Sequence, residues 1–176
     1  IVVSENVKGM LMGEAKQYVR EVYKQFDDAG YYTQHWLLNG ADMGLPQKRQ
    51  RVFFVSMRKD LANPFLIQKD MFTQVPKLDL EFKERWVTYG EFKTGDVGRA
   101  LTMSTLDLWH KKIKGDIDFG DINKRENDKE SRFGVKFIFD NETPKTLPAG
   151  DDAVPVKWDK PNRISDSEIA MMSSFP

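Results

Sequence analysis

The chain has 176 residues with 27 basic and 27 acidic side chains, hence no net charge, and 40% of its residues are hydrophobic against 31% charged. This is globular composition, enough for one ordinary domain or two small ones sharing a core, and it excludes a disordered chain and a uniformly basic nucleic-acid coat while leaving a local basic face open. Cysteine is absent, which excludes disulfides, thiolate-bound zinc and a cysteine nucleophile from these residues; no window approaches the ~18 apolar residues of a membrane span, and no signal-peptide pattern occurs.

Ile1-Val2-Val3 is a short β-branched run suited to a buried strand. Val19, Val22, Tyr23 and Phe26 recur at helical spacing and predict a helix over 14–29, with Gly30 just past its end. Tyr31–Leu38 and Arg51–Met57 read as two further strands, joined by the turn-rich segment Asn39–Pro46. Strand, helix, strand points to an α/β layer with a partly parallel sheet, but these strands alone cannot complete a Rossmann-like sheet. From residue 60 to 145 the pattern becomes irregular and mostly β, with one helix near 104–113 and a charged, Gly- and Asn-rich exposed loop over 116–132. After a Pro-rich linker, Ser165 and Glu168 form a capping box ahead of Ile169, Ala170, Met171 and Met172. The expected division is 1–59, 60–145 and 146–176. The chain opens inside an apolar run and stops at Phe175-Pro176, which reads as a piece of a longer polypeptide.

Three segments stand out. Glu5-Asn6-Val7 follows the first strand, where α/β sheets place ligands, although a solvated loop acid would look the same. Gln47-Lys48-Arg49-Gln50-Arg51 leads into an apolar strand, and its two guanidiniums share one face there. Arg163-Ile164-Ser165-Asp166-Ser167-Glu168, alone, is simply a capped helix. Asp116, Asp118 and Asp121 only faintly suggest a calcium loop, because position 12 falls on Asn127 and the glycine is misplaced; no metal is expected. His35 and His110 read as structural. Trp86, Trp109 and Trp158 read as core rather than as a stacking platform.

Taken together, the order and spacing of these segments resemble the DNA (cytosine-5)-methyltransferase family. The residues that carry the resemblance are Glu5-Asn6-Val7, the run Gly44-Leu45-Pro46-Gln47-Lys48-Arg49-Gln50-Arg51, and Arg163-Ile164-Ser165-Asp166-Ser167-Glu168 ending in Phe175-Pro176. Thr143-Pro144-Lys145-Thr146-Leu147 resembles the threonine-bearing end of the family's target-recognition region. The resemblance spans the whole chain and about the second half of such an enzyme. It implies a partial Rossmann-like methyltransferase sheet carrying the catalytic residues, then a target-recognition domain, then a helix returning to the catalytic part. The family's glycine-rich S-adenosylmethionine loop and its Pro-Cys-Gln nucleophile segment are not among these residues. The chain is therefore expected to be inactive alone, to carry no cofactor-binding residue of its own, and to depend on a missing N-terminal half that mainly binds the S-adenosylmethionine.

The implied reaction transfers a methyl group from S-adenosylmethionine to carbon 5 of a cytosine flipped out of double-stranded DNA. A thiolate adds to carbon 6, and protonation at N3 relieves the charge this places on the ring. Glu5 is the expected acid, provided burial raises its pKa. Arg51 is expected to donate to O2, Asn6 to fix the turn that aims Glu5, and Gln47 and Arg49 to organise the loop or meet phosphate. Lys111, Lys112, Lys114, Lys124, Arg125, Lys129 and Arg132 are candidate groove and phosphate contacts, and Thr146 is a candidate clamp near the flipped nucleotide. The setting implied is a restriction-modification or phage system in the cytoplasm of a bacterial or phage-infected cell. Two alternatives stay open: a non-catalytic DNA-binding module or split-enzyme subunit, and a tRNA cytosine methyltransferase.

Overall fold

Alternating β-branched and aromatic residues build a three-stranded sheet from the first part of the chain. The structure, a computed structural model, describes residues 1–128, 134–147, 150 and 153–173. By its internal contacts the chain divides into two units, one made of residues 1–43 and 49–83, the other of residues 44–48 and those from 84 onward.

In the first unit, β1 (Val2–Val7), α1 (Lys16–Asp28), β2 (Tyr31–Asn39) and β3 (Gln50–Arg58) follow in order. The sheet order is β1-β3-β2, and β3 is antiparallel to both neighbours. β1 and β2 therefore run the same way, as a strand–helix–strand crossover demands, with β3 inserted between them. This corrects the expectation of a partly parallel sheet, because no parallel ladder forms here. The helix matches its predicted apolar stripe: Val19, Val22, Tyr23 and Phe26 are its half-buried positions, and Gly30 ends it with φ +81°.

Strand alternation sorts β3 into two faces. Val52, Phe54 and Ser56 are buried, and α1 covers that side through Tyr23, whose ring lies 5.7 Å from His35 and 6.4 Å from Phe54. Arg51, Phe53 and Val55 face the other way and remain half-buried. All six residues of β1 are exposed, which corrects the expectation of a buried strand: among the described residues β1 is an edge strand, paired on one side only. A short helix, α2 (Lys59–Ala62), and the pair β4 (Leu66–Gln68) and β5 (Gln74–Pro76) complete this unit.

The second unit contains α3 (Tyr89–Phe92), α4 (Met103–His110), α5 (Phe119–Asn127), β6 (Phe137–Ile138), β7 (Val156–Lys157) and α6 (Asp166–Met172). β6 and β7 pair in parallel. One core cluster gathers Tyr89, Ile138, Ile164 and Met172; a second gathers Phe119, Ile122, Phe137 and Val156, with Trp109 and Trp158 packed against it. Trp86 lies outside both, 43% exposed, with the Lys48 ammonium 5.1 Å from its ring centre.

Residues 116–132 were expected as an exposed loop, but α5 occupies most of that stretch. Asp118 and Asp121 form a reciprocal capping box, and Phe119 and Ile122 bury one turn's apolar pair. These carboxylates are engaged in structure rather than poised for a metal: Asp116 pairs with Arg125 at 2.7 Å, and Asp118 pairs with Lys136. Among the described residues no cluster of His or carboxylate side chains suits a metal ion. Among the described residues between 60 and 145, regular strand is confined to β4, β5 and β6, and irregular connections carry much of the stretch, with more helix than the one expected.

Candidate active site

Glu5 and Arg51 stand 46 positions apart in sequence on adjacent antiparallel strands. The register places Glu5 opposite Phe53 and Val7 opposite Arg51, so the two are diagonal neighbours on one face. Their side chains meet, with Arg51 Nε 2.7 Å from Glu5 Oε1. This is the sheet face that α1 does not cover. Half of the Glu5 side chain is exposed, against 23% for Arg51. Arg51 also donates from Nη1 to the Gln50 carbonyl at 3.0 Å, which restrains its guanidinium. Nearby on the first unit, Lys8 Nζ donates to Gln50 Oε1 at 2.8 Å.

The expected turn at Glu5-Asn6 is absent, because both residues lie inside β1. Asn6 Oδ1 accepts from the Val7 backbone N–H at 2.8 Å, and strand alternation turns Asn6 to the face opposite Glu5. Arg49 precedes β3 rather than belonging to it; its side chain is exposed, and its carbonyl accepts from Gly40 N–H at 3.0 Å.

Gln47 is buried and belongs to the second unit. Its Nε2 donates to the carbonyl of Met172, at the end of α6, over 2.5 Å, while its Oε1 is buried with no partner among the described residues. Lys48 is clamped by its backbone: its N–H donates to the Pro144 carbonyl at 2.8 Å and its carbonyl accepts from Thr146 Oγ1 at 2.7 Å. Thr146, expected as a clamp near the nucleotide, thus holds the chain itself.

The Arg163–Glu168 segment folds as predicted at its cap. Ser165 Oγ accepts from Glu168 N–H at 3.3 Å, and Glu168 Oε2 accepts from Ser165 N–H at 2.8 Å. The sequence did not reveal what else Glu168 does. It is fully buried, and its Oε1 receives Lys157 Nζ at 3.0 Å, Tyr89 Oη at 2.9 Å and Thr94 N–H at 3.1 Å. Burial opposes its ionisation, but the Ser165 amide, the Lys157 ammonium and the Tyr89 hydroxyl outweigh it and hold the carboxyl below its ordinary range. Burial, then the bond to Glu168, drives the Tyr89 hydroxyl far above its usual value. Lys157, inside an apolar run, carried no sequence signal of this pairing. Arg163 Nη1 donates to the Val154 carbonyl at 2.6 Å.

The recognition-region cations divide by their surroundings. Lys111 and Lys114 are exposed. Lys112 lies 3.1 Å from the Trp109 ring centre and 5.2 Å from that of Trp158, and burial lowers its ammonium pKa. Arg125 binds Asp116 and donates from Nη2 to the Lys111 carbonyl at 2.8 Å. Lys124 is exposed on α5. Lys129, Arg132, Phe175 and Pro176 lie outside the described residues.

Over residues 1–176 the sequence matches the family model for C-5 cytosine-specific DNA methylase. It is similar to the type II methyltransferase M.MthTI of Methanothermobacter thermautotrophicus, 28% identical over 196 residues that cover 99% of this chain and 54% of the relative. It is also similar to the type II methyltransferase M.FnuDI of Fusobacterium nucleatum, 48% identical over 59 residues, 34% of this chain and 17% of the relative. Among solved structures, that of the Entamoeba histolytica methyltransferase EhMeth shares the fold, with a TM-score of 0.56 and 14% identity, covering 99% of this chain and 50% of that one. The chain spans about half the length of the relatives it matches from end to end, and 17% of M.FnuDI.

Proposed function

The chain belongs to the C-5 cytosine-specific DNA methylase family, and from that premise we propose that it forms the second half of a DNA cytosine-5 methyltransferase, holding the ring-activating acid and the recognition region. The observation that carries this reading is the Glu5–Arg51 pair, a carboxylate and a guanidinium converging at 2.7 Å on the sheet face that α1 leaves open. A flipped cytosine presents N3 and its amino group beside O2. One carboxyl and one guanidinium, side by side, match those edges: Glu5, which takes up a proton from solvent at its half-exposed side chain as base entry opens the ion pair, passes it to N3 and accepts from the amine through its other oxygen, and Arg51 donates to O2. Base insertion replaces the Glu5–Arg51 ion pair with bonds to the ring, so the resting pair keeps both groups oriented. Arg49 meets backbone phosphate, and Asn6 braces the end of β1.

S-adenosylmethionine supplies the methyl group in this reading. The described residues present no glycine-rich cradle for it, and the chain has no thiol. Both the cofactor loop and the nucleophile are therefore assigned to a further polypeptide segment. In functional terms, residues 1–59 serve catalysis, 60–145 serve recognition and 146–176 return to the catalytic part. Lys111 and Lys114 are the phosphate contacts proposed for recognition. A restriction-modification setting accords with the type II names of the relatives, and a cytoplasmic location in a bacterial or phage-infected cell is proposed with it. Among the described residues no helix is long and apolar enough to cross a membrane.

The test is methylation by the protein together with the segment that supplies the thiolate. Transfer to cytosine carbon 5 of duplex DNA is expected, and Glu5→Gln should lower the rate by about 10²–10³-fold. A Gln variant of full activity refutes the role of Glu5. Activity on tRNA and not on DNA moves the protein to the tRNA reading, and DNA binding without transfer moves it to the non-catalytic one.

A further inference from the structure

Within the second unit, Trp109 and Trp158 pack against a core cluster, whereas the Trp86 ring lies outside both clusters and is exposed. An indole left open forgoes burial that a core would reward. Its backbone is nonetheless fixed: Thr88 caps α3 two residues on, and the Tyr89 N–H donates to the Glu142 carbonyl at 2.9 Å. Lys48, of the same unit, holds its ammonium 5.1 Å from the Trp86 ring centre, within range of cation–π attraction. Lys48 also forms a parallel bridge with Lys145, and its N–H and carbonyl are bonded to Pro144 and Thr146. The two lysines therefore stand abreast on paired backbone, where like charges repel. Among the described residues neither ammonium has a carboxylate partner. Arg85, beside Trp86 in sequence, is by contrast neutralised by Glu91 at 2.6 Å.

We infer that Lys48, Lys145 and Trp86 form a contact for the backbone of duplex DNA: the two ammoniums take a phosphate, and the indole packs on the deoxyribose beside it. The bonds from Lys48 to Pro144 and Thr146 keep the two charges from separating, so a bound anion is what relieves their repulsion. In a stacked duplex the base faces are covered, and the sugars are the apolar surface within an indole's reach of the phosphates. The inference deepens the DNA methyltransferase reading and rests on it for the identity of the polyanion. Contacts to sugar and phosphate carry no sequence information, so they are testable without knowing the target sequence.

The experiment titrates the full protein against a fluorescein-labelled duplex of mixed sequence at several salt concentrations. Lys48→Met and Lys145→Met should each reduce the slope of log affinity against log salt by about 1, and the double change by about 2, because each ammonium displaces a counterion. Lys48→Arg should keep the slope. Trp86→Ala should weaken binding about tenfold with the slope unchanged, and Trp86→Phe should stay within about threefold, because the contact is apolar. Intrinsic fluorescence gives the second readout. Unlabelled duplex should change the tryptophan emission of the wild type, and Trp86→Phe should remove that change. The Phe variant keeps an aromatic ring in place, so this readout stands even where the Ala variant unfolds. Unchanged salt slopes in both Met variants, or an emission change that survives Trp86→Phe, overturn the inference; methylation of duplex DNA by the wild type with the thiolate-bearing segment then leaves the methyltransferase reading standing. A wild type that neither binds nor methylates duplex DNA overturns that reading, and the inference with it.

Discussion

Removing the charge of Glu168 tests how far a single buried pair supports the second unit. The carboxylate is fully buried and the Lys157 side chain is 6% exposed, so neither can turn to water when its partner is lost. Glu168→Gln keeps one oxygen for Tyr89 and the Thr94 amide, sets its NH2 against the Ser165 amide, and leaves the ammonium without a counter-charge. Breaking such a pair from one side costs about 3–5 kcal/mol. The retained acceptor offsets part of that, so the expected loss is about 3 kcal/mol, a large share of the roughly 5–15 kcal/mol of a typical domain. Lys157→Met should cost a similar amount, whereas Lys157→Met with Glu168→Leu should cost less than either single change, because no charge is left buried. The exposed pair Arg58–Asp60 is the control: its side chains are 55% and 58% exposed, and Asp60→Asn should change stability by less than about 1 kcal/mol. Urea unfolding at constant m-value measures all four. The folded carboxyl titrates below its ordinary range, so its stabilisation is complete above the unfolded carboxylate pKa and fades as pH falls through the folded one. A Gln variant within about 1 kcal/mol of wild type, or a double change as costly as the two singles summed, refutes the reasoning.

Burial, with Lys69 nearby, lowers the His35 pKa below 6.5, so its contribution to the first unit is complete above the unfolded value and is lost as pH falls toward the folded one; His35→Gln should flatten that slope in unfolding midpoints followed across pH. A Cβ at Gly98 would collide with the carbonyl oxygens of Arg163 and Ile164, so Gly98→Ala should lower stability by about 1–3 kcal/mol, while Gly95→Ala, with open space at its Cβ, should show no such clash; thermal unfolding of the pair checks it. Arg125 is engaged by Asp116 and Lys111, so Arg125→Gln should lower the unfolding midpoint and leave the salt slope of DNA binding unchanged, whereas Lys114→Ala should reduce that slope by about 1.

Periodic local signals were legible in the sequence. The α1 stripe, the residue at which α1 ends, the strands flanking Asn39–Pro46 and the Ser165–Glu168 cap all appear where spacing placed them, since each depends on neighbours within one or two turns. The helix α5 was missed because its two aspartates read as loop charge, although Asp118 and Asp121 stand at capping-box spacing. The Asp116-Asp118-Asp121 run suggested a metal faintly only because sequence cannot show that Arg125 and Lys136 already neutralise two of its members.

Local chemistry alone set which residues could act: an acid near the front of the chain, two guanidiniums before an apolar strand, and a capped helix near the end. Only the tertiary structure decided how they meet. Inserting β3 between β1 and β2 made Glu5 and Arg51 diagonal neighbours, and strand alternation turned both toward the face that α1 leaves open. It also paired Lys157 with Glu168 and hung Gln47 from the last turn of α6. Sequence patterns report a residue's neighbours along the chain, whereas sheet register and buried pairing are set by which distant surfaces exclude water together.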